Sequence, residues 1–138
     1  MAEGLLRARL GSRPGLQVSS AGIAALVGQP ADPIARQLLS ERGLDISGHR
    51  ARQLTPALLA AHDLVLVMER AHEREVLDFA PLARGRVHRL GRFGGFDVPD
   101  PYLRPRAAFE EALEFIERGI ADFETALRGG SVKRKNAS

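Results

Sequence analysis

Apolar positions along the chain fall into runs of helical and strand-like spacing that alternate. The clearest run is the last: Phe109, Leu113, Ile116, Ile120, Phe123 and Leu127 recur at intervals of three and four, one face of a helix of about 20 residues. Leu64, Val65, Leu66, Val67 and Met68 form an unbroken apolar run, the pattern of a strand buried on both faces of a parallel sheet. A second strand is expected over residues 16–21 and a third over residues 86–90. Helices are expected over residues 1–9, with Leu5, Leu6 and Leu10 as the apolar face, over a short stretch from Thr55 and Pro56 through Leu59, and over residues 70–79. One further helix carries its own boundary signals: Asp32 as N-cap, Pro33 at the first helical position, Ile34, Leu38 and Leu39 on one face, and Gly43 as the stop. Between these lie a Gly- and Ala-rich loop over residues 22–30, a polar connector over residues 44–53 and a loop over residues 91–101 with three glycines and two prolines. Alternating strands and helices give an α/β fold with a parallel sheet, in which loops following strands carry the chemistry.

Composition narrows this picture. The 138 residues, 44% hydrophobic and 27% charged, suit one soluble domain with a modest core. That domain is expected over residues 1–128, followed by a flexible basic tail over residues 129–138 that contains Lys133, Arg134 and Lys135. No apolar run approaches the roughly 20 residues of a membrane span, and the first ten residues carry charges where a signal peptide has its apolar stretch, so a cytoplasmic location is expected. The formal charge of +3 arises from mixed signs, lysine occurs only at Lys133 and Lys135, and aromatics are only 5%, which argues against a nucleic-acid partner. Cysteine is absent from the 138 residues, which excludes from them disulfides, thiolate metal sites and a thiol nucleophile.

Four clusters are candidates for chemistry. In Asp97-Val98-Pro99-Asp100-Pro101-Tyr102, Pro101 fixes its own φ and biases Asp100 toward an extended backbone, so the Asp100 carboxylate points in a set direction beside an aromatic ring. A positioned carboxyl of this kind can serve as a general acid, although Asp-Pro by itself is more often a turn signal. The others are residues 18–28 with Ala31-Asp32-Pro33, residues 48–53 with His49, Arg50 and Gln53, and residues 63–69 with His72. Taken singly, His49 or His72 is more often an ordinary hydrogen-bonded side chain than a catalyst.

In this order and spacing, Ser20-Ala21-Gly22, His49-Arg50-Ala51-Arg52-Gln53, Asp63 through Glu69 and Asp100-Pro101-Tyr102 resemble the low-molecular-weight protein-tyrosine phosphatase family from Met1 to about Leu127. Residues 25–28, Ala-Leu-Val-Gly, bring the likeness nearest to the bacterial branch, which includes phosphatases of exopolysaccharide and capsule systems. The resemblance implies a three-layer α/β/α fold with a small parallel sheet of order 2-1-3-4, and hydrolysis of protein phosphotyrosine through a phosphocysteine. Asp100 would protonate the leaving phenolate and then activate water. Tyr102 would wall the phenyl slot facing Leu26, where animal members have an aromatic residue. Ser20 and His49 would support the phosphate-binding loop. No metal or organic cofactor is implied, and a bacterial tyrosine autokinase is the candidate phosphotyrosine partner.

The family's first strand and its C-x-x-x-x-x-R-[ST]-P loop have no counterpart in these residues; Met1-Ala2-Glu3 stands where bacterial members read M-A-E just after that proline. The expectation is a chain begun at an internal methionine, in preference to one that has lost catalysis, since Asp100 and Tyr102 are retained. Without the family's central strand, a gap of roughly 10 Å would separate residues 16–21 from residues 64–68. The strand over 16–21 is therefore expected to shift, to pair with a strand of another molecule, or to belong to a partly folded domain. Two other classes fit less well: a non-catalytic binding module built on the phosphatase fold, and an arsenate reductase, whose chemistry needs several thiols and no Asp-Pro-Tyr acid.

Overall fold

The computed structural model describes residues 1–11 and 13–127. Its elements in chain order are α1 (Ala2–Leu10), α2 (Pro33–Ser40), α3 (Pro56–Ala60), β1 (Val65–Val67), α4 (Arg70–Phe79), β2 (Val87–Arg89) and α5 (Arg106–Ala126), with a 3-10 turn at Pro81–Ala83. The expected basic tail over residues 129–138 lies outside the described residues.

The chain divides into two compact units, one formed by Met1–Thr55 and Pro101–Leu113, the other by Pro56–Asp100 and the residues from Glu114 onward. In the first, α1 buries Leu5 and Leu10, α2 buries Ala35, Leu38 and Leu39, and the opening turns of α5 bury Phe109, Ala112 and Leu113. Helix α2 starts as its sequence dictates: the Asp32 carboxylate accepts a hydrogen bond from the Ile34 amide at 2.8 Å, and Pro33 follows. Beyond Ser40 the chain turns away through Gly43, whose φ of +75° is a conformation that glycine adopts without steric cost. Helix α1 lies against α2 at Gly4, where a Cβ would stand 3.1 Å from a Leu39 methyl and 2.8 Å from Ile46.

The second unit holds the sheet, a parallel pair of β1 and β2 with Val65, Leu66 and Val67 opposite Val87, His88 and Arg89. This is the adjacency that a 2-1-3-4 order gives its third and fourth strands. Leu59, Val76, Ala83, Val87, Leu90, Val98, Ile116, Ile120 and Phe123 are the buried apolar side chains here. Helix α5 delivers the last three at the spacing read from the sequence.

Two strand expectations are corrected. Residues 16–21 form no strand: a strand needs a neighbouring backbone ladder, and among the described residues none runs beside them. Their backbone is held by side chains instead, Arg7 donating to the Val18 carbonyl at 2.7 Å and Arg52 Nε to the Ser20 carbonyl at 2.9 Å. Nor is the run over residues 64–68 buried on both faces. Its regular part is three residues of intermediate exposure, and Leu64 is 38% exposed. The described residues provide β1 with one strand neighbour, and a strand is buried on both faces only where helices cover both faces of its sheet.

No described helix is long and apolar enough to cross a membrane. In the second unit α5 packs closely on the end of β2 at Gly119, where a Cβ would stand 2.6 Å from Leu90 Cγ and 2.8 Å from the Leu90 carbonyl oxygen. Gly119→Ala would gain about 1 kcal/mol of helix propensity. It would also push α5 off a backbone carbonyl, an overpacking cost of about 1–3 kcal/mol. The overlap with backbone should win, so thermal unfolding is expected at a lower temperature; a raised midpoint would contradict the close packing.

Candidate functional site

All four sequence clusters contribute to two separate constellations, one in each unit. In the first unit, Ser20 and His49 converge on Glu3 of α1. The Ser20 hydroxyl donates to Glu3 Oε1, His49 Nδ1 lies 3.8 Å from the same oxygen, and Arg7, one helical turn along, donates to Glu3 Oε2 at 2.9 Å. The Glu3 side chain is 17% exposed, so this carboxylate organises three partners largely out of water. Spacing reveals the Glu3–Arg7 pair at i,i+4, but nothing local announces Ser20 and His49 as partners 17 and 46 residues away.

The segment that carries His49 also braces the loop that carries Leu26. Gln53 Nε2 donates to the Ile23 carbonyl while Gln53 Oε1 accepts from the Ala25 amide at 3.1 Å. Backbone bonds flank it, Gly22 N to the Arg52 carbonyl at 2.9 Å and Gly28 N to the Ala51 carbonyl at 2.8 Å. Thus clusters that are about 25 residues apart in sequence form one support, and Leu26 and Val27 are presented at 59% and 65% exposure. Tyr102, in the same unit, is 54% exposed. It sits in a turn closed by the Arg104 amide on the Pro101 carbonyl at 2.9 Å, with Leu103 at φ +62°, a conformation that strains a residue bearing a Cβ.

In the second unit, the loop leading to Asp100 is tied down at Asp97 and Val98. Arg89 of β2 donates from one guanidinium nitrogen to Asp97 Oδ1 at 2.8 Å and to the Phe96 carbonyl at 3.2 Å. Asp97 Oδ1 also accepts from the Arg70 amide at 3.3 Å, the first residue of α4, whose own N-cap Glu69 makes no side-chain cap. A carboxylate there suits the positive end of the helix dipole. The Val98 amide donates to the Met68 carbonyl at 2.9 Å and the Val98 side chain is buried. Two residues further on, Asp100 is exposed. His72 is paired with Glu69 at 3.3 Å, the ordinary role.

Among the described residues no three His, Asp or Glu side chains group as metal ligands. The arrangement offers instead an exposed carboxyl on an anchored loop, an exposed tyrosine in the adjoining turn and, in the first unit, a braced apolar loop.

The family described as "Low molecular weight phosphotyrosine protein phosphatase" matches residues 1–135. The chain is 50% identical to a probable low molecular weight protein-tyrosine-phosphatase EpsP of Ralstonia nicotianae over 93% of this chain and 86% of that one. It is 40% identical to the low molecular weight protein-tyrosine-phosphatase Wzb of Salmonella typhimurium, over 83% of this chain and 77% of the other. Among solved structures it resembles Vibrio vulnificus Wzb in complex with benzylphosphonate, with a TM-score of 0.82, 38% identity, and coverage of 88% and 85% of the two chains. The chain therefore belongs to the low molecular weight phosphotyrosine protein phosphatase family, whose members similar to it are bacterial protein-tyrosine phosphatases.

Two outcomes follow. Glu3→Ala strands the part-buried Ser20 hydroxyl and should cost about 1–3 kcal/mol of stability. Arg7→Ala removes an exposed ion pair and the exposed bond to the Val18 carbonyl and should cost less, about 1 kcal/mol; chemical denaturation of both variants checks the order. The second outcome concerns pH. The Arg89 hydrogen bond, with a smaller contribution from the Arg70 amide, holds the Asp97 carboxyl below its ordinary value. Because the folded value is depressed, the stabilisation is present above about pH 4 and is lost as pH falls further. Arg89→Leu should raise the Asp97 midpoint in a carboxyl-carbon NMR titration; an unmoved midpoint would contradict the assignment.

Proposed function

We propose that this chain carries the general acid and the aromatic-ring slot of a protein phosphotyrosine hydrolase. The observation that carries the reading is Asp100, exposed between two prolines on a loop anchored at Val98, with the exposed Tyr102 two residues on. In this reaction a cysteine thiolate attacks phosphorus, the phenolate leaves as phenol with the proton of Asp100, and the Asp100 carboxylate then takes a proton from the water that hydrolyses the phosphocysteine. Splitting the reaction this way replaces one difficult displacement with two easier ones. The 138 residues contain no thiol, so as a polypeptide they lack the attacking group.

Tyr102 and Leu26 are assigned to the slot, Leu26 giving a shallower wall than an aromatic side chain would. Ser20 and His49, already gathered on Glu3, are assigned to support of the phosphate-binding loop. The similar Vibrio protein was solved with benzylphosphonate, an aromatic ring one carbon from a phosphonate, which has the shape of the group proposed here as substrate. A phosphotyrosine on a bacterial tyrosine autokinase fits the reading, and the cytoplasm is the compartment it assigns. No cofactor is called for.

The 138-residue polypeptide should release no p-nitrophenol from p-nitrophenyl phosphate above background. Joined behind the family's first strand and cysteine loop it should turn over, and Asp100→Asn should then lower kcat by about 10²–10⁴ with inorganic phosphate binding unchanged. Turnover by the 138 residues alone that disappears in Asp100→Ala would overturn the mechanism. Equal loss of turnover and phosphate affinity in Asp100→Asn would make Asp100 a structural residue.

A further inference from the structure

We infer that Arg89 and Asp97 are positioning residues for Asp100: their ion pair, at the root of the loop, sets the direction in which the acid is presented. The inference rests on the acid role proposed above. The two side chains differ in setting, Arg89 at 16% exposure and Asp97 at 42%, so the guanidinium is the fixed member and the carboxylate is drawn onto it. Arg89 is itself anchored in β2, at the register position opposite Val67, and its second bond, to the Phe96 carbonyl, holds the backbone next to Asp97.

The remainder of the loop is closed upstream of this point. The Phe96 amide donates to the Gly91 carbonyl at 3.1 Å, and the Phe96 ring lies 5.1 Å from the Phe115 ring with the Arg118 guanidinium 4.8 Å above it. Slack in the glycines at positions 91, 94 and 95 is therefore not passed on beyond Phe96.

What lies downstream is stiff. Val98 is buried and bonded to Met68, Pro99 has its φ locked, and both Val98 and Asp100 precede prolines, which restricts their backbones to extended forms. Few soft torsions separate the Asp97 anchor from the Asp100 carboxylate, so a shift at Asp97 is carried to the acid with little damping. A misplacement of about 1 Å in a reacting group can cost on the order of 10²-fold in rate. An ion pair with a partner this exposed does little for stability. Aim is the property it can change.

Two measurements test this. In the 138-residue chain, the backbone order parameter of Asp100 from nitrogen-15 relaxation should fall from about 0.85 to below about 0.6 in Asp97→Asn, while those of Val65 and Leu90 stay unchanged. Unchanged order at Asp100, or loss of order throughout, overturns the inference whatever Asp100 does chemically. In the polypeptide that carries the cysteine loop ahead of Met1, kcat/KM is compared for phenyl phosphate, whose leaving group needs a proton, and 2,4-dinitrophenyl phosphate, whose leaving group departs as the anion. Asp97→Asn and Arg89→Leu should lower the first by about 10- to 100-fold and barely move the second, with Arg89→Lys recovering part of the loss. Asp97→Asn conserves volume and decides the matter if Arg89→Leu fails to fold. Equal loss on both substrates would mean a structural role and overturn the inference. If Asp100→Asn shows no difference between the substrates, the acid reading fails. If it does and Asp97→Asn does not, only the positioning role fails.

Discussion

The hydrogen bond from the Val98 amide to the Met68 carbonyl is the constraint on which the acid role proposed for Asp100 depends. It joins the end of β1 to the loop that leaves β2, so the segment bearing Asp100 moves with the sheet rather than with the solvent. Burial of the Val98 side chain protects this bond from water, and the ion pair of Arg89 with Asp97 fixes the residue before it. A general acid contributes to rate only when its proton lies within hydrogen-bond reach of the leaving oxygen. The prolines at 99 and 101 supply stiffness, but stiffness is useful only if its base is fixed.

The first unit solves a similar problem with side chains in place of a ladder. Residues 16–21 have no strand neighbour among the described residues, yet Glu3, Arg7, Arg52 and Gln53 reach into the segment over residues 18–25 and hold its backbone and hydroxyl groups. Buried or half-buried polar groups need partners, and a charged carboxylate such as Glu3 can serve several at once. The exposed Leu26 and Val27 at the outer end of this loop, and the exposed Tyr102 and Leu103 of the same unit, are apolar groups that folding alone gives no reason to leave in water.

Helix positions were legible in the sequence because their signals are local. The Asp32-Pro33 start, the turn through Gly43 and the three-four spacing of α5 all act within a few residues, and all three are seen. The strands were legible only as apolar runs. Whether such a run becomes a strand, and how deeply it is buried, depends on neighbours distant in sequence, which is why residues 16–21 and the flanks of β1 were misread. The same division holds for the site. The Asp100-Pro101-Tyr102 geometry can be argued from proline stereochemistry, whereas Glu3 as a hub and Arg89 as the anchor of Asp97 are long-range contacts that leave no periodic trace.

Amide hydrogen exchange at Val98 tests the anchored loop most directly. The account predicts that this amide is protected to the same degree as the Val65 and Leu90 amides that join β1 to β2, because all three report the same unit. Exchange at Val98 as fast as in an unstructured peptide, with Val65 and Leu90 still protected, would mean that the loop is not held to the strand and that Asp100 is not aimed by the fold.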